Sequence, residues 1–204
     1  MKHIGITGRM GSGKSFISRI FQETFGIPVF DSDKEAKACY REAHIRDEVC
    51  RVFGNFLLLP DKQLDLKALG KLVFAQPEKT EALNRIVHPE VMRRYRRWNE
   101  NKRQDCPYTL FESAILFESH LDTQFDAIIY VHCPEHISVE RVRQRNGWSE
   151  EDIRLRLQLQ QSQATDCDKA DFRIEHDSTA SLESGRERLL PQIREIHRRI
   201  ISMP

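Results

Sequence analysis

Residues Gly8 to Ser15 read Gly-Arg-Met-Gly-Ser-Gly-Lys-Ser. They fit G-x-x-x-x-G-K-[ST], a loop that binds phosphate groups. Glycines let the chain turn tightly and approach an anion with no Cβ in the way. Backbone N–H groups at a helix start lack an intrahelical partner and are free to donate to phosphate oxygens. The N–H groups from Gly11 to Phe16 are expected to line such a cradle. Lys14 would reach the β- and γ-phosphates as a point charge. The Ser15 hydroxyl would complete the shell of a Mg²⁺ ion, which takes hard oxygen ligands. The expected ligand is a nucleoside triphosphate, held by Gly8, Gly11, Ser12, Gly13, Lys14, Ser15 and Phe16. The alternative is a glycine-rich turn that holds nothing.

Other residues could complete a reaction. Asp31 and Asp33 follow a short apolar run. A kinase needs a carboxylate that orients the attacking hydroxyl and accepts its proton. Either could serve, since strand alternation would point both the same way; the competing role is an N-cap for the next helix. Glu112 and Glu118 flank Ser113–Phe117, and a carboxylate there could hold Mg²⁺ through water or be a solvated rim charge. Arg141, Arg143, Arg145, Arg154 and Arg156 crowd a later stretch. Two or three of them are expected to meet phosphate, where charge builds up during phosphoryl transfer. Arg93-Arg94-Tyr95-Arg96-Arg97-Trp98 invites a nucleic-acid reading. On a helix these charges spread around the barrel, so a solvated face beside core-packed Tyr95 or Trp98 is expected. His88-Pro89 reads as a helix break.

The elements that must position these residues are legible as periodicity. Five strands are expected, at His3–Thr7, Pro28–Asp31, Tyr108–Ser113, Ala127–His132 and Asp171–Glu175. Phe16, Ile17, Ile20 and Phe21 follow the loop at helical spacing. Helical stretches separate the strands, which predicts an α/β fold with a mostly parallel sheet binding ligands at its carboxyl edge. Asp33–Arg41, Ile45–Phe53, Leu66–Phe74 and Pro77–Arg103 read as helices with no strand among them, too long for a crossover and so an inserted helical subdomain. Glu135–Asn146 and Ser149–Gln163 form a second helical excursion. Ser149 and Asp152 resemble an N-cap arrangement, although Ile153, Leu155, Leu157 and Leu159 alternate as in a strand. In Ser181–Ile201, Pro191 is expected to kink the helix or start a new one.

Bulk properties narrow the class. The formal charge of +1 argues against a nucleic-acid partner. No apolar run approaches the ~20 residues that span a membrane, and the expected location is the cytoplasm. The five cysteines are scattered and never spaced C-x-x-C, so free thiols are expected rather than disulfides or zinc.

Taken together, the chain resembles the dephospho-coenzyme A kinase family over nearly its whole length. The resemblance rests on Ile6 through Ser15, Asp31-Ser32-Asp33, Leu64-Asp65, Val73-Phe74 and Leu83 through Pro89. It continues with Leu116-Phe117-Glu118, Arg141, Arg145-Asn146-Gly147, Arg156 with Gln160, and Ala170-Asp171-Phe172. It implies a P-loop NTPase-type α/β fold, five strands flanked by helices. Residues 1–32, 105–134 and 164–204 would form the nucleotide-binding core, 33–104 a helical acceptor domain and 135–163 a lid. It also implies transfer of the ATP γ-phosphate, with Mg²⁺, to the ribose 3′-hydroxyl of dephospho-coenzyme A. Asp33 would be the catalytic base, acting with Lys14 and Arg141. Arg145 would add to the ATP site, and Asp31, His88, Leu116, Phe117 and Glu118 would serve the acceptor. Several positions depart from the family pattern: Glu112 for Asp, Ala114 for Pro, Leu66 for Arg, Asp166 for Lys, and His176 for the Asn that meets adenine. Another small-molecule kinase of this loop type is the nearest rival. A GTP-dependent switch would need N-K-x-D, and Asn101-Lys102 is followed by Arg103-Gln104. A non-catalytic nucleotide-binding module is the third reading.

Overall fold

The computed structural model describes residues 1–74, 76–102, 106–159, 167–177 and 182–204, leaving aside the side chains of 74, 159, 182 and 183. The sequence positions Arg103 to Asp105, Gln160 to Asp166 and Ser181, where several expected boundaries fall, lie outside the described residues. The sheet is built around β1 (Lys2–Thr7). Its neighbours are β3 (Tyr108–Glu112) and β4 (Ala127–His132), while β2 (Val29–Asp31) and β5 (Phe172–Glu175) form the edges. The order is β2-β3-β1-β4-β5 and every pair is parallel. A parallel sheet is covered on both faces, so its central strands read as nearly continuous apolar runs. All five residues of β3 are buried, whereas the edge strand β5 alternates buried and exposed.

Register aligns the apolar rows. Leu110, Ile4 and Ala127 lie side by side, as do Ile6, Ile129 and Phe172. These residues face α1 (Lys14–Phe25) and α8 (Leu182–Ser202), which contribute Ile17, Ile20 and Phe21, and Leu189, Ile193, Ile196 and Ile200. Pro191 lies within α8, which neither breaks nor restarts there. The buried face that continues from Leu189 through Ile200 outweighs the lost N–H and the ring clash. Lys2 Nζ donates to the carbonyls of Ile200, Ile201 and Met203 at 3.1, 3.3 and 2.6 Å, satisfying the open end of α8.

A second helical layer follows β4. It consists of α6 (Glu135–Asn146) and α7 (Glu150–Leu159). Ser149 caps α7, with Asp152 N–H donating to Ser149 Oγ at 3.1 Å. The strand-like alternation in α7 resolves as helix: Ile153 and Leu157, four apart, bury against Val139 and Val142, while Leu155 is exposed.

The chain divides into two compact units, Met1–Asp31 with Lys102–Pro204, and Ser32–Asn101. In the second unit lie α2 (Ser32–Cys39), α3 (Ala43–Phe53), α4 (Leu66–Phe74) and α5 (Pro77–Glu100). A single antiparallel bridge, Leu58 to Leu64, is the strand-like pairing described there. α5 runs unbroken through Pro89, so the expected break at His88-Pro89 is absent. Buried Leu83, Val87, Val91 and Tyr95 hold one face on both sides of the proline.

In the basic stretch on α5, Arg93 and Arg94 are ion-paired, while Arg96 and Arg97 are exposed beside buried Tyr95. Glu90, 6% exposed, accepts from Arg93 Nε at 2.9 Å and Arg94 Nε at 3.0 Å. Arg94 reaches on to Glu35 at 2.9 Å and Glu42 at 2.7 Å, joining α5 to α2 and its following turn. Glu90→Ala removes the buried acceptor and should cost about 1–3 kcal/mol in urea unfolding. Glu81→Ala, which breaks an exposed pair with Arg85, should cost under about 0.5 kcal/mol. Equal losses would show that the α5–α2 junction does not depend on Glu90.

Candidate active site

The glycine-rich loop joins β1 to α1 at the carboxyl edge of the sheet. Gly13, at φ 94°, is the residue on which α1 begins, and no acidic side chain occupies the first turn of that helix. An anion there meets the positive end of the helix. Three close approaches fix the loop, and in the first a Cβ on Gly8 (φ 151°) would lie 2.4 Å from the Val131 carbonyl oxygen of β4. A Cβ on Gly11 (φ 79°) would lie 2.6 Å from the Ser138 carbonyl oxygen of α6, and one on Gly13 would lie 2.3 Å from His176 Nδ1. Of the N–H groups expected to line the cradle, two are used within the loop itself: Ser12 donates to the Arg9 carbonyl at 3.1 Å and Phe16 to the Gly13 carbonyl at 3.0 Å. The Ser12 hydroxyl and the Thr7 hydroxyl are buried with no hydrogen-bond partner among the described residues.

Lys14 folds back over the loop, its Nζ donating to Gly8 O at 2.7 Å and Arg9 O at 3.3 Å. Ser15 Oγ donates to Glu112 Oε1 at 2.5 Å. Glu112 ends β3 between Ile6 on β1 and Asp31 on β2, and is 7% exposed, so it is no solvated rim charge. Burial pushes its carboxyl above the ordinary range and the nearby Asp31 carboxylate adds to this, against the Ser15 and Ser18 side chains and the Lys14 ammonium. A buried carboxylate beside a hydroxyl offers two hard oxygens at one point, a donor set suited to Mg²⁺, which takes one or two carboxylates and otherwise phosphate oxygens and water.

Of the five arginines in α6 and α7, Arg141 reaches the loop. Its NH1 donates to Ser12 O at 3.2 Å and Gly11 O at 3.4 Å, and also approaches Cys133 Sγ at 3.4 Å. Its NH2 lies 2.9 Å from His176 Nε2. The other four have local partners among the described residues. Arg143 pairs with Glu140 at 2.8 Å, Arg154 with Glu150 and Glu135, and Arg156 stacks 4.4 Å over Trp148. Arg145 is exposed in the last turn of α6 and donates to Asn146 Oδ1 at 2.8 Å.

The remaining expected site residues are divided between the two units. Asp31 is exposed at the end of β2. The strand does not continue, so the alternation that would have paired Asp31 with Asp33 is lost; Asp33 is exposed in the first turn of α2, in the second unit. His88 is half-buried on α5 of that unit, where burial lowers its pKa. Leu116 and Phe117 belong to the interior, at 0% and 4% exposure. Leu116 fills the space over Gly5, where a Cβ would come within 2.7 Å of its Cδ1. Glu118 is half-buried. Two residues with a place at the loop were not among those expected there. Arg9 ties the loop to α6 and α7 through Glu135 at 3.3 Å and the Leu157 carbonyl at 3.1 Å. His176 directly follows β5 at the ligand-binding edge, and that position is the signal that could have found it.

A glycine-rich loop after the central strand of a parallel five-stranded sheet, with a helix starting on its last glycine, defines a P-loop nucleotide-binding fold. A model of the family described as dephospho-CoA kinase matches residues 2–181. A Bacteroides fragilis protein named dephospho-CoA kinase is 36% identical over 195 residues, 95% of this chain and 90% of that protein. Among solved structures, TT1252 from Thermus thermophilus is 32% identical with a TM-score of 0.78, covering 96% of this chain and 97% of that one. A dephospho-CoA kinase from Campylobacter jejuni is 26% identical with a TM-score of 0.64 and the same coverage. The chain belongs to the dephospho-CoA kinase family.

The raised pKa of Glu112 has a signed consequence for the ligand-free protein. The folded state binds the Glu112 proton more tightly than the unfolded state, so the favourable contribution is present at low pH and is lost as pH rises through the raised value. Glu112→Gln should therefore raise the thermal midpoint at neutral pH and flatten its fall between acid and neutral pH. A midpoint that is lower at neutral pH would show that the charged carboxylate is a net stabiliser.

Proposed function

We propose that this chain transfers the γ-phosphoryl group of ATP to the ribose 3′-hydroxyl of dephospho-coenzyme A, giving coenzyme A and ADP. The observation that carries the reading is the Gly8–Ser15 loop with its buried Ser15–Glu112 pair, in a chain of this family. The reaction forms a bond between the acceptor oxygen and the γ-phosphorus and breaks the bond from that phosphorus to the β–γ bridging oxygen. Because its transition state spreads charge over phosphoryl oxygens, positioning and electrostatics carry most of the rate.

Loop N–H groups and the start of α1 hold the phosphates, and Lys14 exchanges the Gly8 and Arg9 carbonyls for β- and γ-oxygens. Ser15 and Glu112 are the residues that would hold Mg²⁺, which when bound neutralises charge on the same oxygens. Arg141 neutralises charge from the α6 side, and α6 with α7 act as the lid that excludes water. Asp33, exposed in the first turn of α2, accepts the proton of the acceptor hydroxyl. The helical unit Ser32–Asn101 binds the acceptor, with neutral His88 as a hydrogen-bonding group.

ADP release measured with Mg²⁺–ATP should be supported by dephospho-coenzyme A and not by a panel of nucleosides and nucleotides; no preference for it would overturn the reading. Asp33→Asn should retain ATP affinity while kcat falls about 10²–10⁴-fold, the range for loss of a general base. An unchanged kcat would remove Asp33 from that role.

A further inference from the structure

His176 stands at the end of β5 with its ring 6% exposed, yet every polar edge of that ring is used. Nδ1 lies 2.8 Å from the Ser12 carbonyl oxygen, and Nε2 lies 2.9 Å from Arg141 NH2. Arg141 NH1 also stands 3.2 Å from Nδ1, but it donates to the same Ser12 carbonyl. A carbonyl only accepts and a guanidinium only donates, so the two shortest contacts set the assignment: Nδ1 carries the proton and donates to Ser12 O, while Nε2 accepts from Arg141 NH2. The ring is therefore neutral. Its pKa is lowered by burial first and by the Arg141 charge second, against the Ser12 carbonyl and the Asp177 carboxylate. Packing fixes the plane of the ring: Phe16 of α1 stacks on it at 5.8 Å, and Gly13 has no Cβ because the imidazole occupies that volume.

From this geometry we propose that His176 is a positioning residue, whose imidazole couples the last turn of the phosphate loop to the Arg141 guanidinium and so aims both. The proposal rests on the reading of the loop as the ATP site and of Arg141 as the residue that neutralises transferring charge. The two nitrogens serve two different parts of the site. Nδ1 holds the Ser12 carbonyl outward, which sets the direction of the loop N–H groups. Nε2 receives a guanidinium that also rests on the Gly11 and Ser12 carbonyls and the Cys133 sulfur.

The two functions separate by substitution. In His176→Asn the amide nitrogen takes the place of Nδ1 and keeps the Ser12 contact, while the acceptor for Arg141 is lost. In His176→Gln the amide oxygen reaches the place of Nε2 and keeps the Arg141 contact, while the donor to Ser12 is lost. His176→Asn should lower kcat about 10- to 100-fold, the cost of a misaimed group, with KM for ATP within about twofold of wild type. His176→Gln should raise KM for ATP about tenfold with kcat within about threefold. In an Arg141→Ala background, His176→Asn should cost no further kcat, because the group it aims is gone. Losses that multiply in the double variant, or Asn and Gln shifting the same parameter, would overturn the proposal. If wild type shows no kinase activity, the proposed function fails; calorimetric ATP affinity then decides the coupling, which predicts weaker binding by His176→Gln than by His176→Asn and is overturned by equal binding.

Discussion

The constraint on which the rest of this structure depends is that a main chain, not a side chain, must face the ligand. At Gly11 and Gly13 the loop is in contact with α6 and with the residue after β5, at distances that no Cβ could occupy. The loop therefore keeps its shape only while three separate segments of the chain converge on it. The strand order brings this about. With β1 in the middle, the ends of β3 and β4 flank the loop directly, and the end of β5 lies one strand farther out. A side chain long enough to span that distance is needed there, and His176 supplies it.

Charge is handled the same way, by main-chain groups standing in for phosphate. Lys14 and Arg141 both rest on loop carbonyls. A neutral carbonyl is a weaker acceptor for a cation than a phosphate oxygen, so exchange on nucleotide arrival is favourable while the cations are never left unpartnered. Glu112 is the counterpart on the anionic side. Its burial beside Ser15 is unfavourable for the ligand-free chain, and a cation at that point would relieve it.

Much of this was legible in the sequence because it is local. The phosphate loop, the five strands and the helices are encoded in spacing, and the strand limits shift by no more than a residue. The misjudged features depend on contacts between distant segments. Pro89 reads as a break and Pro191 as a kink or a new start, and the apolar faces flanking them explain why both helices continue. The five arginines look alike in sequence, and only the structure shows acidic neighbours holding Arg143 and Arg154, Asn146 holding Arg145 and Trp148 under Arg156. Leu116 and Phe117 carried a motif but lie inside the protein, since Gly5 on the central strand makes room for Leu116. The tautomer of His176 follows from partners on two other segments, Ser12 and Arg141, 164 and 35 residues away, which no spacing rule contains.

The central position of β1 also bears on how the chain comes to be folded. Ile4 pairs with Leu110 on one side and with Ala127 on the other, so the strand that carries the loop has no neighbour in the sheet until much of the chain has left the ribosome. The tie from Lys2 to the carbonyl of Met203 forms later still. Such distant pairings cost loop-closure entropy before they return any stability, which slows folding. The compact helical unit Ser32–Asn101 emerges well before the nucleotide-binding core can close around its first strand.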